Sequence, residues 1–203
     1  DLDGAEAAVQ QVLDANPELG TAWALRGDIL TAKRDYEGAR AAYDSALAAR
    51  QNDYNSRFKR AMLALQLADY DAAQADVDAL LKVAPRHPGA NYVQGLIHYQ
   101  RARYRDAVTA LSLAEPASDQ YPLLLFFLGS AHLVEGNTDQ GAAMAARFHN
   151  LAPDSIRGRK LLATVRLQQG ENDKVQALLR PVIDADPDDV DALNLMANAL
   201  LRD

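Results

Sequence analysis

The sequence has a 34-residue period, and this period limits the possible folds more than any other feature. Small residues recur at that spacing without a break, at Gly27, Ala61, Gly95, Gly129, Ala163 and Ala197. Prolines share the same register, at Pro17, Pro85, Pro153 and Pro187. Periods of about 20 to 50 residues are typical of tandem arrays, in which each unit buries its apolar faces against its neighbours. The chain is therefore predicted to be an array of small units and not a domain around one core.

Within each unit, the apolar residues follow the spacing of two α-helices. Trp23, Gly27 and Leu30 fall on one helical face, and Tyr36 and Tyr43 fall on one face of the next segment. A short polar break separates the two segments, and in the later units it contains a glycine, which readily takes the left-handed conformation that ends a helix. Small residues are expected where the two helices cross, because a large side chain would push the backbones apart. No segment alternates with period two over the length of a strand, so no sheet is predicted.

Composition disfavours several classes of function. The 203 residues contain no cysteine, which removes disulfide frameworks and thiolate zinc sites, and the net charge of −7 argues against binding to nucleic acid. The longest apolar run, residues 123–128, is far shorter than the ~20 residues that cross a bilayer, so no direct membrane insertion is expected. The chain opens Asp1-Leu2-Asp3 without an initiator methionine or signal peptide, and it is expected to be a segment of a longer protein.

Five residues, Trp23, Gly27, Ala39, Tyr43 and Ala46, resemble the signature of the tetratricopeptide repeat (TPR) family. The resemblance implies an all-α fold, a right-handed TPR solenoid of antiparallel helix pairs with about twelve helices. In the frame of the family, residues 1–203 form one array, whose full repeats span residues 20–53, 54–87, 88–121, 122–155 and 156–189. Residues 1–19 then correspond to the second helix of a truncated repeat, and residues 190–203 to the first helix of another.

Three arginines depart from the family pattern. Arg57 and Arg159 occupy positions where the family has tryptophan or another large apolar residue, and Arg60 occupies a position that leucine usually holds. Their long aliphatic stems are expected to replace part of that packing while the guanidinium groups reach water.

The alanine-rich composition and the turns that begin Gly136-Asn137 and Gly170-Glu171 resemble those of bacterial envelope TPR proteins. Within that group, the similarity is to the long proteins that accompany exopolysaccharide secretion and exosortase (PEP-CTERM) systems. The resemblance implies a periplasmic or envelope-associated protein. A chain without cysteine also folds in the cytoplasm, so the compartment stays open.

In the TPR family the first helix of each repeat lines a concave groove, and the resemblance places the second, fifth, ninth and twelfth residues of each repeat there. In the central repeats these positions predict a mainly apolar floor, formed by Phe58, Met62, Tyr92, Leu96, Tyr99, Phe126 and Ser130. Toward the two ends they are polar, at Asp28, Lys160 and Asn194. The groove is predicted to bind an extended peptide or an amphipathic helix of a partner protein, with anchors entering between Tyr92, Leu96 and Phe126.

Other interpretations stay open beside this one. The same side chains are equally suited to pack as core between neighbouring first helices, and Tyr92 and Tyr99 are suited to stack on a carbohydrate. The array is also suited to be a structural spacer in a larger protein. The lysine and asparagine clamp, by which some TPR proteins grip a C-terminal carboxylate, is absent from the corresponding positions. The leading prediction is a non-enzymatic protein–protein interaction scaffold, and self-association through the exposed terminal helices is a further one.

No motif predicts a catalytic residue, a metal site or a cofactor. His98 and His132 occupy equivalent positions of adjacent repeats, but the family frame puts both where a tyrosine packs the two helices together. The aspartates between residues 184 and 191 are interpreted as capping groups at the start of the last helix. The basic clusters at residues 101–105 and 157–160 are too far apart for a continuous nucleic-acid stripe. A carboxylate-dependent enzyme is the rival prediction, and it requires two carboxylates in one pocket.

Overall fold

The structure is a computed structural model that describes residues 1–202, and over that range it contains twelve α-helices and no strand. The helices are Leu2–Ala15 (α1), Gly20–Ala32 (α2), Tyr36–Ala49 (α3), Tyr54–Gln66 (α4), Tyr70–Val83 (α5), Pro88–Gln100 (α6), Tyr104–Ala114 (α7), Leu123–Val134 (α8), Thr138–Leu151 (α9), Ile156–Gln168 (α10), Asn172–Ala185 (α11) and Val190–Leu200 (α12). A 3-10 turn, Glu115–Ala117, follows α7. The predicted all-α fold of sequential antiparallel helix pairs is confirmed.

A tight turn of the same geometry recurs along the chain between the paired helices. One residue in each turn has φ between 55° and 80°, at Arg34, Ala68, Ala102, Gly136 and Gly170. The next residue donates its N–H to a carbonyl five positions back, as Asp69 does to Ala64 at 2.9 Å, which closes the helix end in a Schellman arrangement. The sequence indicated glycine at two of these positions. The other three hold an ordinary side chain in the left-handed region, which costs about 1 kcal/mol each.

Aspartates begin several of the helices. The side chains of Asp35, Asp53 and Asp69 accept backbone N–H groups of the first turns of α3, α4 and α5. Asp189 does the same for α12, where it accepts from the N–H of Ala192. Each of these bonds satisfies one of the N–H groups that a helix start leaves unpaired. The interpretation of the late aspartates as capping groups is thereby confirmed at Asp189.

The helices form two compact units, residues 1–97 and the residues from 98 onward. The core of each unit is a set of small clusters. One cluster of the first unit contains the fully buried residues Ala61, Ala73, Val77, Val93 and Ile97. One cluster of the second unit contains Ala163, Val175, Leu179, Val182 and Ala192. Such clusters join successive helices, as expected for an array whose stability comes from contacts between neighbours.

Gly27 confirms that a small residue marks a close helix crossing. A Cβ atom on Gly27 would lie 2.5 Å from Cε1 of Tyr43, and Tyr43 is only 2% exposed. The Tyr43 hydroxyl donates to Oδ1 of Asp28 at 2.9 Å. Burial raises the pKa of Tyr43, because a phenolate at this position would lose its hydration. The close contact of α2 with α3 therefore depends on the missing side chain at Gly27.

A candidate partner-binding cleft

The second unit contains a cleft of about 700 Å³, bordered by α8, α10, α12 and the last residue of α6. Its lining residues are Gln100, Phe126, Phe127, Ser130, Arg157, Lys160, Leu161, Thr164, Asp191, Asn194, Leu195 and Asn198. The structure thus brings together four of the residues that the sequence predicted for a groove, Phe126, Ser130, Lys160 and Asn194. A volume of this size lies within the usual range of ligand sites, about 300–1,000 Å³.

The helical period places these side chains in the cleft. On α10 the lining residues are spaced i, i+3, i+4 and i+7, which is one helical face, at Arg157, Lys160, Leu161 and Thr164. The face of α12 uses the same spacing one repeat later, at Asp191, Asn194, Leu195 and Asn198. Other faces of the two helices are fully buried, at Ala163 and Ala192. Each helix therefore packs with one side and borders the cleft with another.

The floor of the cleft is apolar and half-buried, formed by Phe126, Phe127, Leu161 and Leu195. The rings of Phe126 and Phe127 meet edge to face, with centroids 5.2 Å apart at 81°. Phe126 also contacts Phe148, which is 2% exposed, with a centroid distance of 5.8 Å. Leu161 and Leu195 pack with their inner sides on two neighbouring core clusters. The floor is therefore held in place from below while its upper surface stays accessible.

Lys160 connects α10 with the start of α12 by two ion pairs. Its Nζ lies 3.0 Å from Oδ2 of Asp189 and 3.3 Å from Oδ2 of Asp191. Burial opposes the charge of the amine, but the hydrogen bonds to the two carboxylates outweigh it, so the pKa of Lys160 is raised. The pKa of Asp189 is lowered, first by the N–H of Ala192 and then by Lys160. Both groups are therefore charged at neutral pH, and the charge of Lys160 is balanced within the unit.

Polar side chains form the rim of the cleft. The Thr164 hydroxyl donates to the carbonyl of Lys160 at 2.9 Å, and Nδ2 of Asn198 donates to the carbonyl of Asn194 at 2.9 Å. Arg157 is exposed, and across residues 1–202 its guanidinium makes no ion pair or hydrogen bond. The rim thus combines side chains bonded to their own helix with one free cation.

Tyr92 and Leu96 do not present a surface to a partner, contrary to the prediction. They are 6% and 8% exposed, and their neighbours on α6, Val93 and Ile97, are fully buried. Almost the whole circumference of α6 is covered, whereas the family frame assigns one of its faces to the groove. The anchors expected between Tyr92, Leu96 and Phe126 therefore have no access at the first two positions, and these residues are core.

Tyr99 is half-buried and uses its ring for packing. Its centroid lies 5.3 Å from that of Tyr104 and 5.0 Å from that of Phe127, with both contacts edge to face. Burial raises the pKa of the Tyr99 hydroxyl, and this effect outweighs a hydrogen bond with Ser130 that lowers the pKa. Ser130 is 9% exposed. With Tyr92 buried and Tyr99 half-buried against two rings, the two tyrosines do not form a pair of open faces on which a sugar would stack.

The remaining predicted residues, Asp28, Phe58 and Met62, lie in the first unit. Asp28 is paired, because Nζ of Lys59 lies 2.5 Å from its Oδ2. Phe58 and Met62 are half-buried against the cluster around Val77, and the ring of Phe58 lies 5.9 Å from that of His87. None of the three lines the cleft of about 410 Å³ that the first unit contains. The structure does not join these residues into one pocket.

Sequence profiles of known protein families match most of the repeats in the chain. The sequence profile of one tetratricopeptide repeat family matches residues 1–54 and 58–122, and a second tetratricopeptide repeat profile matches residues 132–199. The chain belongs to the tetratricopeptide repeat family. TPR proteins are typically non-enzymatic scaffolds for other proteins. No curated protein matches the chain.

Solved TPR structures share the fold at low sequence identity. A chain of the APC/C hetero-tetramer Cut9–Hcn1 superposes with a TM-score of 0.81 over 98% of this chain, at 16% identity. This chain spans 40% of that protein. PilW, described as a widely conserved type IV pilus biogenesis factor, gives 0.77 at 16% identity, and the match covers 97% of this chain and 91% of PilW. YrrB, described as a TPR protein with an unusual peptide-binding site, gives 0.73 at 18% identity, with coverage of 94% and 98%. At these identities the likeness establishes the fold alone.

The TPR frame missed part of the floor of the cleft. Phe127, Leu161 and Leu195 each follow a predicted fifth-position residue by one. A helix presents a face about 100° wide, which includes the i+4 position together with i, i+3 and i+7. Adding the sixth residue of each repeat to the second, fifth and ninth would have identified all three from the sequence.

The guanidinium groups of Arg57 and Arg60 pair with a buried carboxylate, which the expectation for these two residues did not include, while both side chains stay partly exposed. Asp76 is 4% exposed, and it accepts from Nε and Nη2 of Arg60 at 2.8 and 2.7 Å and from Nη1 of Arg57 at 3.3 Å. Nη1 of Arg60 also lies 2.5 Å from Oδ1 of Asp44. The TPR pattern at Arg57 and Arg60 alone does not reveal the partner, which is on α5. Arg159 in the second unit pairs with Asp154, a fully exposed side chain, at 3.4 Å.

The histidines and the acidic residues of the described range do not form a metal site. Within residues 1–202, no three histidine, aspartate or glutamate side chains converge as ligands would. Burial lowers the pKa of His132, while nearby Glu115 acts in the opposite direction. Across the same residues, each helix falls short of the length or the apolar content that crossing a bilayer requires.

Proposed function

We propose that this chain is a non-enzymatic protein–protein interaction scaffold that binds a peptide or helix of a partner in the cleft of the second unit. The observation that carries the proposal is the pairing of an accessible apolar floor, at Phe126, Leu161 and Leu195, with a polar rim. Apolar anchors surrounded by polar groups are the usual anatomy of a protein-binding site, because the floor supplies affinity and the rim supplies orientation.

The same cleft disfavours the alternatives. A structural spacer would be expected to expose only scattered apolar residues, whereas this cleft has an accessible apolar floor that includes two phenylalanines. A carboxylate-dependent enzyme needs two carboxylates that face one substrate, and the lining of this cleft contains one, Asp191, which is paired with Lys160. The cleft of the first unit is lined by three, but Asp44 and Asp76 are paired with Arg60, and Asp69 lies 3.9 Å from Arg40. YrrB, described as a TPR protein with an unusual peptide-binding site, provides a precedent for peptide binding on this fold.

The organisation and the context of the scaffold belong to the same proposal. We infer one array whose repeats follow the 34-residue frame, with full repeats from residue 20 to residue 189. The bacterial envelope and exopolysaccharide assembly are the proposed context, on the basis of the alanine-rich composition and the glycine turns. PilW, described as a type IV pilus biogenesis factor, has the same fold. Self-association is also proposed, because Leu193 and Leu200 of α12 and Leu201 directly after it are exposed, and sedimentation at high protein concentration tests it.

Peptide selection tests the binding proposal even though the partner is unidentified. A random dodecapeptide display library is selected on the full chain, and the recovered peptides are measured against the Leu161→Asp variant. A charge in the floor should weaken binding at least tenfold, because it removes apolar contact area and a peptide that covers the floor would have to desolvate the new carboxylate. Leu113→Asp is the matched control, since Leu113 is exposed on α7, outside the cleft lining, and its substitution should leave binding unchanged.

A second measurement avoids the risk that Leu161→Asp fails to fold. Methyl resonances of the unmodified chain are recorded with and without a selected peptide. The methyl groups of Leu161 and Leu195 should shift, and those of Leu113 should not. Selected peptides that bind Leu161→Asp as tightly as the parent chain, and that leave the Leu161 and Leu195 resonances in place, would show that the cleft is not the binding site.

A further inference from the structure

One of the two cations that line the cleft of the second unit lacks an acidic partner. These cations are Arg157 and Lys160, and together with Asp191 and the neighbouring Asp189 their formal charges sum to zero. Lys160 is occupied by Asp189 at 3.0 Å and by Asp191 at 3.3 Å. Arg157 has no such partner in the described residues 1–202. Its guanidinium is therefore the charge that is available to a ligand.

The free cation lies close to the apolar floor. Arg157 precedes Leu161 by four residues on the same face of α10, which is a rise of about 6 Å along the helix. Leu195 on α12 and Phe126 on α8 line the same cleft. A ligand that covers the floor thus places its next group within reach of the guanidinium.

We propose that the cleft selects partner segments in which an acidic side chain lies next to an apolar anchor, an inference that rests on the proposed function of the same cleft. The anchor packs on Leu161, and the carboxylate pairs with Arg157 in the two-pronged geometry that a guanidinium offers. In an extended peptide, side chains at i and i+2 lie on one face about 6.6 Å apart, which is close to the rise between Arg157 and Leu161. The expected motif is apolar-x-acidic, in either direction along the peptide.

The charge acts by attraction and by exclusion. A guanidinium stays charged at any physiological pH, so a lysine or arginine of a competing segment would be repelled from this position. An exposed ion pair of this kind typically changes affinity by about fivefold, and reversal of one partner changes it more. Because the groups lie at the rim, salt should weaken the preference, since the screening length falls to a few ångströms near 1 M.

The same library selection tests the inference. Peptides recovered on the unmodified chain should be enriched in Asp or Glu within two positions of a large apolar residue. On the Arg157→Glu variant, the enriched residue at that position should become Lys or Arg. Arg180→Glu is the matched control, because Arg180 is exposed on α11, outside the cleft lining, and the same charge reversal there should leave the selected motif unchanged.

Affinity measurements make the expectation quantitative. By fluorescence anisotropy, a selected acidic peptide should lose about fivefold in affinity when its acidic residue becomes the neutral amide, and about tenfold against Arg157→Glu. A peptide with lysine at that position should gain affinity for Arg157→Glu over the unmodified chain. Arg157 is exposed, so its substitution should leave the far-UV circular dichroism unchanged.

The outcomes separate this inference from the function on which it rests. If peptides that depend on Leu161 show no acidic preference, and Arg157→Glu binds the same set, the charge selection is wrong while the cleft remains the peptide site. If the recovered peptides do not depend on Leu161 and do not shift its methyl resonances, both the function and the inference fail.

Discussion

Replacement of Asp76 by asparagine should destabilise the first unit by about 3 kcal/mol. Asp76 is 4% exposed and is the shared acceptor of Arg57 and Arg60. Asparagine keeps the shape of the side chain but removes its charge, so it leaves two guanidinium groups without that partner. The change therefore tests whether the two arginines depend on the buried carboxylate.

The contacts of Asp76 determine the expected magnitude. The carboxylate accepts three hydrogen bonds from charged donors, at 2.7, 2.8 and 3.3 Å. Removal of one partner of a buried ion pair costs about 3–5 kcal/mol, because the remaining charge is poorly solvated. Two features place this change at the lower end. The side chains of Arg57 and Arg60 keep 22% and 27% exposure, and Arg60 retains Asp44.

Thermal unfolding followed by far-UV circular dichroism measures the loss. For a chain of about 200 residues, 3 kcal/mol corresponds to a fall in Tm of roughly 6–12 °C. Repeat proteins do not always unfold in a single step, so a local measurement is needed as well. Hydrogen exchange provides it, and the amides of α4 and α5 should lose more protection than those of α11.

Asp78→Asn is the matched control on the same helix. Asp78 is exposed and accepts a hydrogen bond from Nε2 of Gln74 at 2.7 Å, so its loss should cost about 0.5 kcal/mol or less. If Asp76→Asn melts within the experimental error of Asp78→Asn, the argument from buried charge is refuted. The double variant Arg60→Leu/Asp76→Leu should recover part of the lost stability, because apolar replacement of a buried ion pair is often neutral or favourable.

Four further substitutions test other parts of the fold, each by the unfolding free energy. Ala68→Gly should stabilise the chain by up to about 1 kcal/mol, because Ala68 has φ 58°, which a glycine adopts without strain. Gly136→Ala should destabilise the chain by a similar amount, since the added Cβ contacts nothing and only the backbone is strained. If both variants were as stable as the unmodified chain, the left-handed turns would carry no measurable strain. Gly27→Val should cost about 2–3 kcal/mol, because the new side chain overlaps the ring of Tyr43, and a stabilised variant would contradict the close crossing of α2 and α3. His132 has a pKa below about 6.5 in the folded chain because of burial, so the unfolded chain binds its proton more readily. Its contribution to stability is present above pH 6.5 and is lost as the pH falls through the folded pKa. The His132→Gln variant should therefore show a weaker dependence of the unfolding free energy on pH between about pH 7 and pH 5. If that dependence is unchanged, His132 does not cause it.

The repeat period predicted most of the fold because its causes are local. A glycine such as Gly27 marks a crossing wherever two helices meet, and polar breaks mark the turns between them. The identity of the turn residue was less predictable. Arg34 and Ala102 have φ of 63° and 55°, in positions where Gly136 serves in a later turn, because the helix pair needs the left-handed conformation whatever residue stands there. Packing of the paired helices offsets a cost of about 1 kcal/mol per turn.

The candidate site was only partly predictable because burial depends on neighbours from other repeats. The helical frame identified which side of each first helix faces the groove in the family, but it treated Tyr92 and Phe126 alike. Tyr92 is 6% exposed, whereas Phe126 is half-buried and lines the cleft. Nothing within a single repeat distinguishes the two positions. The pairing of Arg60 with Asp76 was hidden for the same reason, since the two residues lie on different helices.

A comparison of equivalent positions along the chain does contain a signal for the open part of the site. The series that begins at Tyr92 continues with Phe126, Lys160 and Asn194, and the series that begins at Leu96 continues with Ser130, Thr164 and Asn198. A side chain that is covered on all sides is best apolar, whereas one that borders water needs a polar group or a charge partner. The change from apolar to polar at equivalent positions therefore indicates where a helix face becomes accessible, and in this chain the polar members of both series line the cleft. Peptide binding should accordingly depend on substitutions at Leu161 and Leu195, beside those polar positions, and not on substitutions at Tyr92 and Leu96 that keep the core intact.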